Sequence, residues 1–259
     1  SFPTRRSSDL NLSQLTTIHP HTNILIQSLG LSSVNQHLVE LLFMLDALKR
    51  AGSQHNLLLM PYFSYGKADR LEEPGTSLRS QVCANCLQMA GADKIITLDL
   101  HSERVSNYFT IPIINLSPSQ FFTQQIKKYL PTDNLVVVSP DQGYQKRGRE
   151  YAKLLACAFS CGQKIRKDHQ ENIAQIIIND DLSGKDVLVV DDFTTSGNTL
   201  LFLIKLLKQK GAKDIYLAIT HCLTSVANLE KILHAPIKKF FTSDSIFNPA
   251  LAKKHNKLH

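Results

Sequence analysis

Two carboxylates followed at once by hydroxyl, glycine and amide side chains suit the binding of a phosphorylated sugar, and residues 187–200, VLVVDDFTTSGNTL, have that order. The four apolar residues predict a buried strand. Asp191 and Asp192 fall at its end, and Thr194, Thr195, Ser196, Gly197, Asn198 and Thr199 lead into a helix. Backbone N–H groups in such a turn, together with hydroxyls and the positive end of the helix dipole, make a pocket for a phosphate monoester. Gly197 lets the backbone come close to the phosphate oxygens. Asp191 and Asp192 stand where they would hold ribose hydroxyls or the magnesium that accompanies a polyphosphate. An ordinary helix cap needs one such side chain, and this loop offers six.

The elements around this loop follow a βα rhythm. Strands are expected at 23–29, 56–62, 94–98, 135–139, 174–178, 187–190 and 215–220. Helices are expected after Ser33 (apolar at Val34, Leu38, Leu41, Leu42, Leu45 and Leu48) and at 78–90, 119–129, 145–159 and 199–210. Ser33 with Gln36 suggests a capping box, and Gly52, Gly91 and Gly211 supply helix stops. Strands alternating with helices imply an α/β fold with parallel sheets in two halves. Ligands of such sheets bind at the carboxyl edge, which singles out the loops at 61–70, 99–104, 140–143 and 191–199.

Composition excludes several classes. The 259 residues are 43% hydrophobic, enough for one large domain or two smaller ones, and no apolar run approaches the roughly 20 residues of a membrane span. The net charge of +7 is spread along the chain, and aromatic content is 7% without Trp, so an anionic small molecule is favoured over nucleic acid or a membrane. Five cysteines and no secretory leader suit a reducing cytoplasm. Cys83 with Cys86 and Cys157 with Cys161 have spacings that would serve a zinc site. Both pairs fall in expected helices, where the same spacing marks a buried face.

The phosphate loop resembles the signature shared by phosphoribosyltransferases and phosphoribosyl diphosphate synthetases. DALKRAG at 46–52, PYFSYGKADR at 61–70, AGADKIITLDLHS at 90–102 and VVVSPDQG at 136–143, in this order, are similar to ribose-phosphate diphosphokinases over roughly 23–243. That resemblance implies two tandem phosphoribosyltransferase-like domains, each a parallel sheet flanked by helices, at 11–115 and 116–245, with a tail at 246–259. It also implies Mg²⁺-dependent transfer of diphosphate from ATP to ribose 5-phosphate, giving phosphoribosyl diphosphate and AMP in a cytoplasmic homo-oligomer. In the family pattern Lys164 and Arg166 fall on a mobile catalytic loop. Lys67, Asp69, Arg70 and His101 meet ATP, His101 and Asp141 meet the metal, and Asp191, Asp192 and Thr195 to Thr199 hold ribose 5-phosphate.

Departures from the pattern accompany these matches. Lys67 and Ala68 stand where relatives commonly have Arg and Gln, and lysine keeps the charge but not the bidentate fork. Thr195 replaces an acidic residue found in many relatives. A simple phosphoribosyltransferase would lack the first-half motifs, whereas a non-catalytic regulatory homologue would account for these three changes. Residues 1–10, SFPTRRSSDL, have no apolar period and are expected to be an artefact or disordered, and no counterpart of the family's N-terminal segment precedes Asn23. The chain is accordingly expected to be a fragment at both ends.

Overall fold

The structure is a computed structural model that describes residues 22–30, 33–71, 73–166, 173–246 and 255–259. The expected artefact at 1–10 lies outside them. The chain divides into two units, Ser1–Leu116 and Ser117–His259.

In the first unit β1 (Thr22–Ile26), β2 (His55–Leu59), β3 (Lys94–Leu98) and β4 (Ile113–Leu116) form a parallel sheet in sequence order. They are joined by α1 (Val34–Arg50), α2 (Arg79–Ala90) and the short α3 (Glu103–Ser106). Leu41, Leu45, Leu58, Leu87 and Ile95 are fully buried between these helices and the sheet. On the opposite pleat Ile24, Ile26, Ile114 and Leu116 are exposed. Gly91 (φ 118°) ends α2 in the left-handed region, as its position suggested. The capping box does not form: Ser33 is itself left-handed (φ 56°) and its side chain caps nothing. β4 went unassigned in the sequence because its I-P-I-I-N-L run abuts the boundary between the units.

The second unit is built on a five-stranded parallel sheet of order β11-β10-β9-β5-β6. Its strands are β5 (Leu135–Ser139), β6 (Ala158–Cys161), β9 (Asp186–Thr194), β10 (Ile215–Cys222) and β11 (Lys239–Thr242). Helices α4 (Ser119–Ile126), α5 (Gln145–Leu155), α6 (Asn198–Gln209) and α7 (Val226–His234) flank it. Every residue of β5 is buried, and Val187, Leu188, Val189 and Val190 of β9 are 0% exposed, the continuous apolar run of a strand covered on both faces.

Three expectations are corrected here. The helix at 145–159 stops at Leu155, where Ala156 turns left-handed (φ 53°), and the chain then adds β6 to the sheet edge. Cys157 and Cys161 therefore share no helix face. The segment holding Lys164 and Arg166 is a strand, β7 (Gln163–Arg166), paired antiparallel with β8 (Ile173–Ile177), so that Lys164 faces Ile176 in register. And β9 runs on through Asp191 and Asp192 to Thr194, because β10 is long enough to pair Phe193 with His221 and Thr194 with Cys222. The expected tail is described only at 255–259, which lie along β11: the Phe240 N–H donates to the Lys257 carbonyl (2.6 Å) and the His259 N–H to that of Phe240 (2.9 Å).

Candidate active site

β9 leaves the core at Val190 and delivers its two aspartates to the carboxyl edge of the sheet. Asp192 is buried at 5% exposure and Asp191 is half-buried. Each carboxylate accepts from the next backbone N–H: Asp192 N to Asp191 Oδ1 at 3.1 Å, Phe193 N to Asp192 Oδ1 at 2.8 Å. Past Thr194 the chain makes a short loop, with Thr195 and Ser196 exposed, and enters α6 at Asn198. The Ser196 hydroxyl accepts from the Asn198 N–H at 3.3 Å. Exposed hydroxyls thus surround the N-terminus of a 12-residue helix, where the helix dipole favours an anion.

Two neighbours hold the loop in shape. The Leu223 N–H donates to the Thr194 carbonyl at 2.9 Å, fixing the loop's start to the end of β10. Gly197 is the N-cap with φ 76°, and a Cβ there would lie 2.7 Å from Ile232 Cδ1 of α7. Glycine is required twice, for the dihedral and for the space. Gly197→Ala is expected to cost about 1–2 kcal/mol from the left-handed backbone alone, lowering the melting temperature by a few degrees. Ile232→Val, which removes the clashing Cδ1, should recover only the steric part, and a melting curve identical to the parent's for Gly197→Ala would show the loop is not held this way.

Asp141 follows β5 and accepts from the Gly143 N–H at 2.8 Å, capping the turn at 142–144. It is close enough to Asp191 for their charges to interact. Burial, then the charge of Asp192, then that of Asp141 hold the Asp191 carboxyl well above the usual carboxylate range. The structure thus brings Asp141, Asp191 and Asp192 together at one sheet edge with the loop at 195–198. Lys164 is half-buried on β7. The backbone of Arg166 is on the same strand, and its side chain lies outside the described residues.

The remaining expected residues gather on the first unit. Lys67 ends a 3₁₀ turn at Ser64–Lys67, and its neighbour Gly66 packs beside His101, a Cβ at Gly66 falling 3.6 Å from the His101 Cβ. Lys67, Arg70 and His101 are exposed, whereas Asp69 is 7% exposed and its carbonyl accepts from the Tyr108 hydroxyl at 2.6 Å. Asp99, two residues before His101, is left-handed (φ 48°) and buried, and turns the chain out of β3. The sequence placed Asp99 at the start of the 99–104 loop, but a bare D-L-H-S gives no sign of its left-handed backbone. Sequence reasoning missed Gly162, although a glycine between two expected elements is a sign of close backbone approach.

No group of three or more His, Cys, Asp or Glu suited to a metal occurs among the described residues, and no described helix is long and apolar enough to cross a membrane. Cys83 and Cys222 are buried, which pushes both thiols up to about 11.

Residues 5–91 match the N-terminal domain of ribose phosphate pyrophosphokinase, and residues 107–249 match the phosphoribosyl transferase domain. A ribose-phosphate pyrophosphokinase of Thermosipho africanus is 35% identical over 248 residues, 95% of this chain and 78% of that protein. One from Aquifex aeolicus is 34% identical over 87% of this chain and 71% of its own length. The crystal structure of phosphoribosylpyrophosphate synthetase from Mycobacterium smegmatis superposes with a TM-score of 0.82 at 26% identity, covering 91% of this chain and 76% of that one. With the fold matched in three dimensions and both domains matched in sequence, the chain belongs to the ribose-phosphate pyrophosphokinase family of transferases.

Proposed function

We propose that this chain transfers the β,γ-diphosphoryl group of ATP to the anomeric hydroxyl of ribose 5-phosphate, releasing AMP. The observation that carries this reading is the pair Asp191 and Asp192 at the end of β9, directly ahead of a hydroxyl-rich loop that caps a long helix. The 5-phosphate sits on the backbone N–H groups and side chains of Thr195, Ser196, Gly197, Asn198 and Thr199. The carboxylates of Asp191 and Asp192 accept from the ribose hydroxyls and orient the sugar. ATP is met by Lys67, Asp69, Arg70 and His101. Phosphoryl transfer of this kind needs positioning and charge neutralisation more than covalent chemistry. Lys164 and Arg166 supply cations to the transferring phosphates, and closure of their ribbon excludes water.

The donor set fits Mg²⁺. Burial, and then the charges of Asp192 and Asp141, make Asp191 resist ionisation, and a hard cation that takes only one or two protein oxygens beside the phosphates would relieve that repulsion without a larger cluster. Asp141 is the residue of the second unit that we assign to it, and the family resemblance gives His101 the same ion's nucleotide; when bound, the ion would neutralise charge on the polyphosphate. A cytoplasmic homo-oligomer, as in the family resemblance, is part of the same reading.

The test is product analysis. AMP should appear from ATP only when ribose 5-phosphate and Mg²⁺ are both present. Formation of ADP would move the reaction to γ-phosphoryl transfer and overturn the proposal. No turnover at all would favour a non-catalytic homologue, the reading that Lys67, Ala68 and Thr195 raise.

A further inference from the structure

The β7–β8 ribbon leaves the sheet from β6 and returns to it ahead of β9, so whatever fixes its two legs fixes the direction in which it carries Lys164. On the entering leg, the Gly162 N–H donates to the Ser139 carbonyl at 2.8 Å. A Cβ at Gly162 would lie 2.4 Å from the Pro140 carbonyl oxygen, so this leg is seated directly against the backbone that leads to Asp141. On the returning leg, Ile176 and Ile178 are 2% and 1% exposed and belong to the core of the unit. A side-chain hydrogen bond joins the legs: the Ser160 hydroxyl on β6 donates to Asp180 Oδ2 at 2.5 Å, two residues beyond Ile178. Ser160 is 2% exposed, while Asp180 faces solvent.

A hydrogen bond between a buried hydroxyl and a carboxylate is among the stronger neutral-to-charged contacts and has a defined direction. Here it closes the base of a two-stranded ribbon, a structure that is marginal when isolated and takes its orientation from its attachment. We propose that Ser160 and Asp180 form a clamp at the base of the ribbon and act as positioning residues for Lys164. Neither touches the substrates. They set the angle of the strand that carries the cation relative to the Pro140–Asp141 backbone. The kinetic part of this rests on the proposed role of Lys164; the clamp itself rests on the contacts alone.

The experiment compares the full chain with Ser160→Ala, Asp180→Ala, the double variant and Asp180→Asn, which keeps an acceptor oxygen. Each single alanine variant should lower kcat about tenfold with the KM for ribose 5-phosphate unchanged, since that substrate is held by a different loop. The double variant should lose no more than the worse single, because the two groups act through one bond. Asp180→Asn should keep most of the parent's kcat.

Limited trypsin digestion supplies a readout free of catalysis. Cleavage after Lys164 should quicken severalfold in both single variants and no further in the double, while cleavage after Lys208 in α6 stays at the parent's rate. In Ser160→Ala the exposed Asp180 carboxylate is taken up by water, so the melting temperature should shift little, whereas Asp180→Ala leaves the buried Ser160 hydroxyl without its acceptor and should lower it by a few degrees. Additive losses in the double variant, or unchanged cleavage after Lys164, would overturn the clamp. A normal kcat in variants whose ribbon is cut faster would overturn the positioning role. If the parent makes no AMP, the proposed function fails and the digestion pattern alone decides the clamp.

Discussion

Asp191→Asn is expected to lower kcat/KM for ribose 5-phosphate by about 10²-fold and, in the absence of divalent cations, to raise the melting temperature. The first effect follows from the loss of a charged acceptor for a ribose hydroxyl, since a hydrogen bond to a charged group contributes about 1.5–3 kcal/mol. The second follows from the same charge in the empty site. Desolvation and the neighbouring Asp192 and Asp141 raise the Asp191 pKa, so its ionised form opposes folding. A raised carboxyl contributes relative stability below its unfolded pKa and loses it as pH rises through the folded value. The asparagine variant should therefore gain nothing in acid and most at neutral pH and above. Asparagine retains an oxygen for the Asp192 N–H, so the strand end is preserved. A gain of about 1 kcal/mol corresponds to roughly 2–4 °C for a unit of this size. A lower melting temperature at neutral pH, or an unchanged kcat/KM, would show that Asp191 is a structural residue.

The contrast between these two effects explains how much of the site the sequence disclosed. Residue types revealed Asp191, Asp192 and the hydroxyl loop, because few structural roles call for that many small polar groups in succession. Dihedrals and close approaches left no comparable mark. Asp99 and Ala156 adopt left-handed backbone without being glycine, and the second of these ends α5 and makes room for β6 in a stretch that otherwise reads as continuous helix. The polar residues after Val190 read as loop, although β10 extends far enough to keep them in the sheet. In the same way Lys164 and Arg166, flanked by polar residues, read as loop, and only their pairing with β8 makes them strand. The helix stops at Gly91 and Gly211 were legible because the left-handed cap there needs a glycine.

The second large effect is expected at Lys164. Lys164→Ala should lower kcat by about 10²-fold or more, the scale for one preorganised electrostatic contact in a transition state, and leave the KM for ribose 5-phosphate near the parent's. The melting temperature should hardly move, because the side chain is half-buried on a two-stranded ribbon rather than in either core cluster of the second unit. Steady-state kinetics at saturating ATP separate the outcomes. A raised KM with normal kcat would mean that Lys164 binds ground-state substrate, and no change in either would make it a bystander.

The strand order of the second unit also dictates a sequence of events during synthesis. β5 pairs on one side with β6, its near neighbour in the chain, and on the other with β9, whose first residue is Asp186. At a translation rate of about 5–20 residues per second, β5, apolar from Leu135 to Val138, waits several seconds for that second partner. In the first unit the four described strands pair in the order in which they are made, and the longest such wait, from Leu59 to Lys94, is shorter. A nascent chain paused between Cys161 and Asp186 would present the unsatisfied edge of a strand that is apolar from Leu135 to Val138, which makes this stretch the place where a holdase chaperone has most to protect.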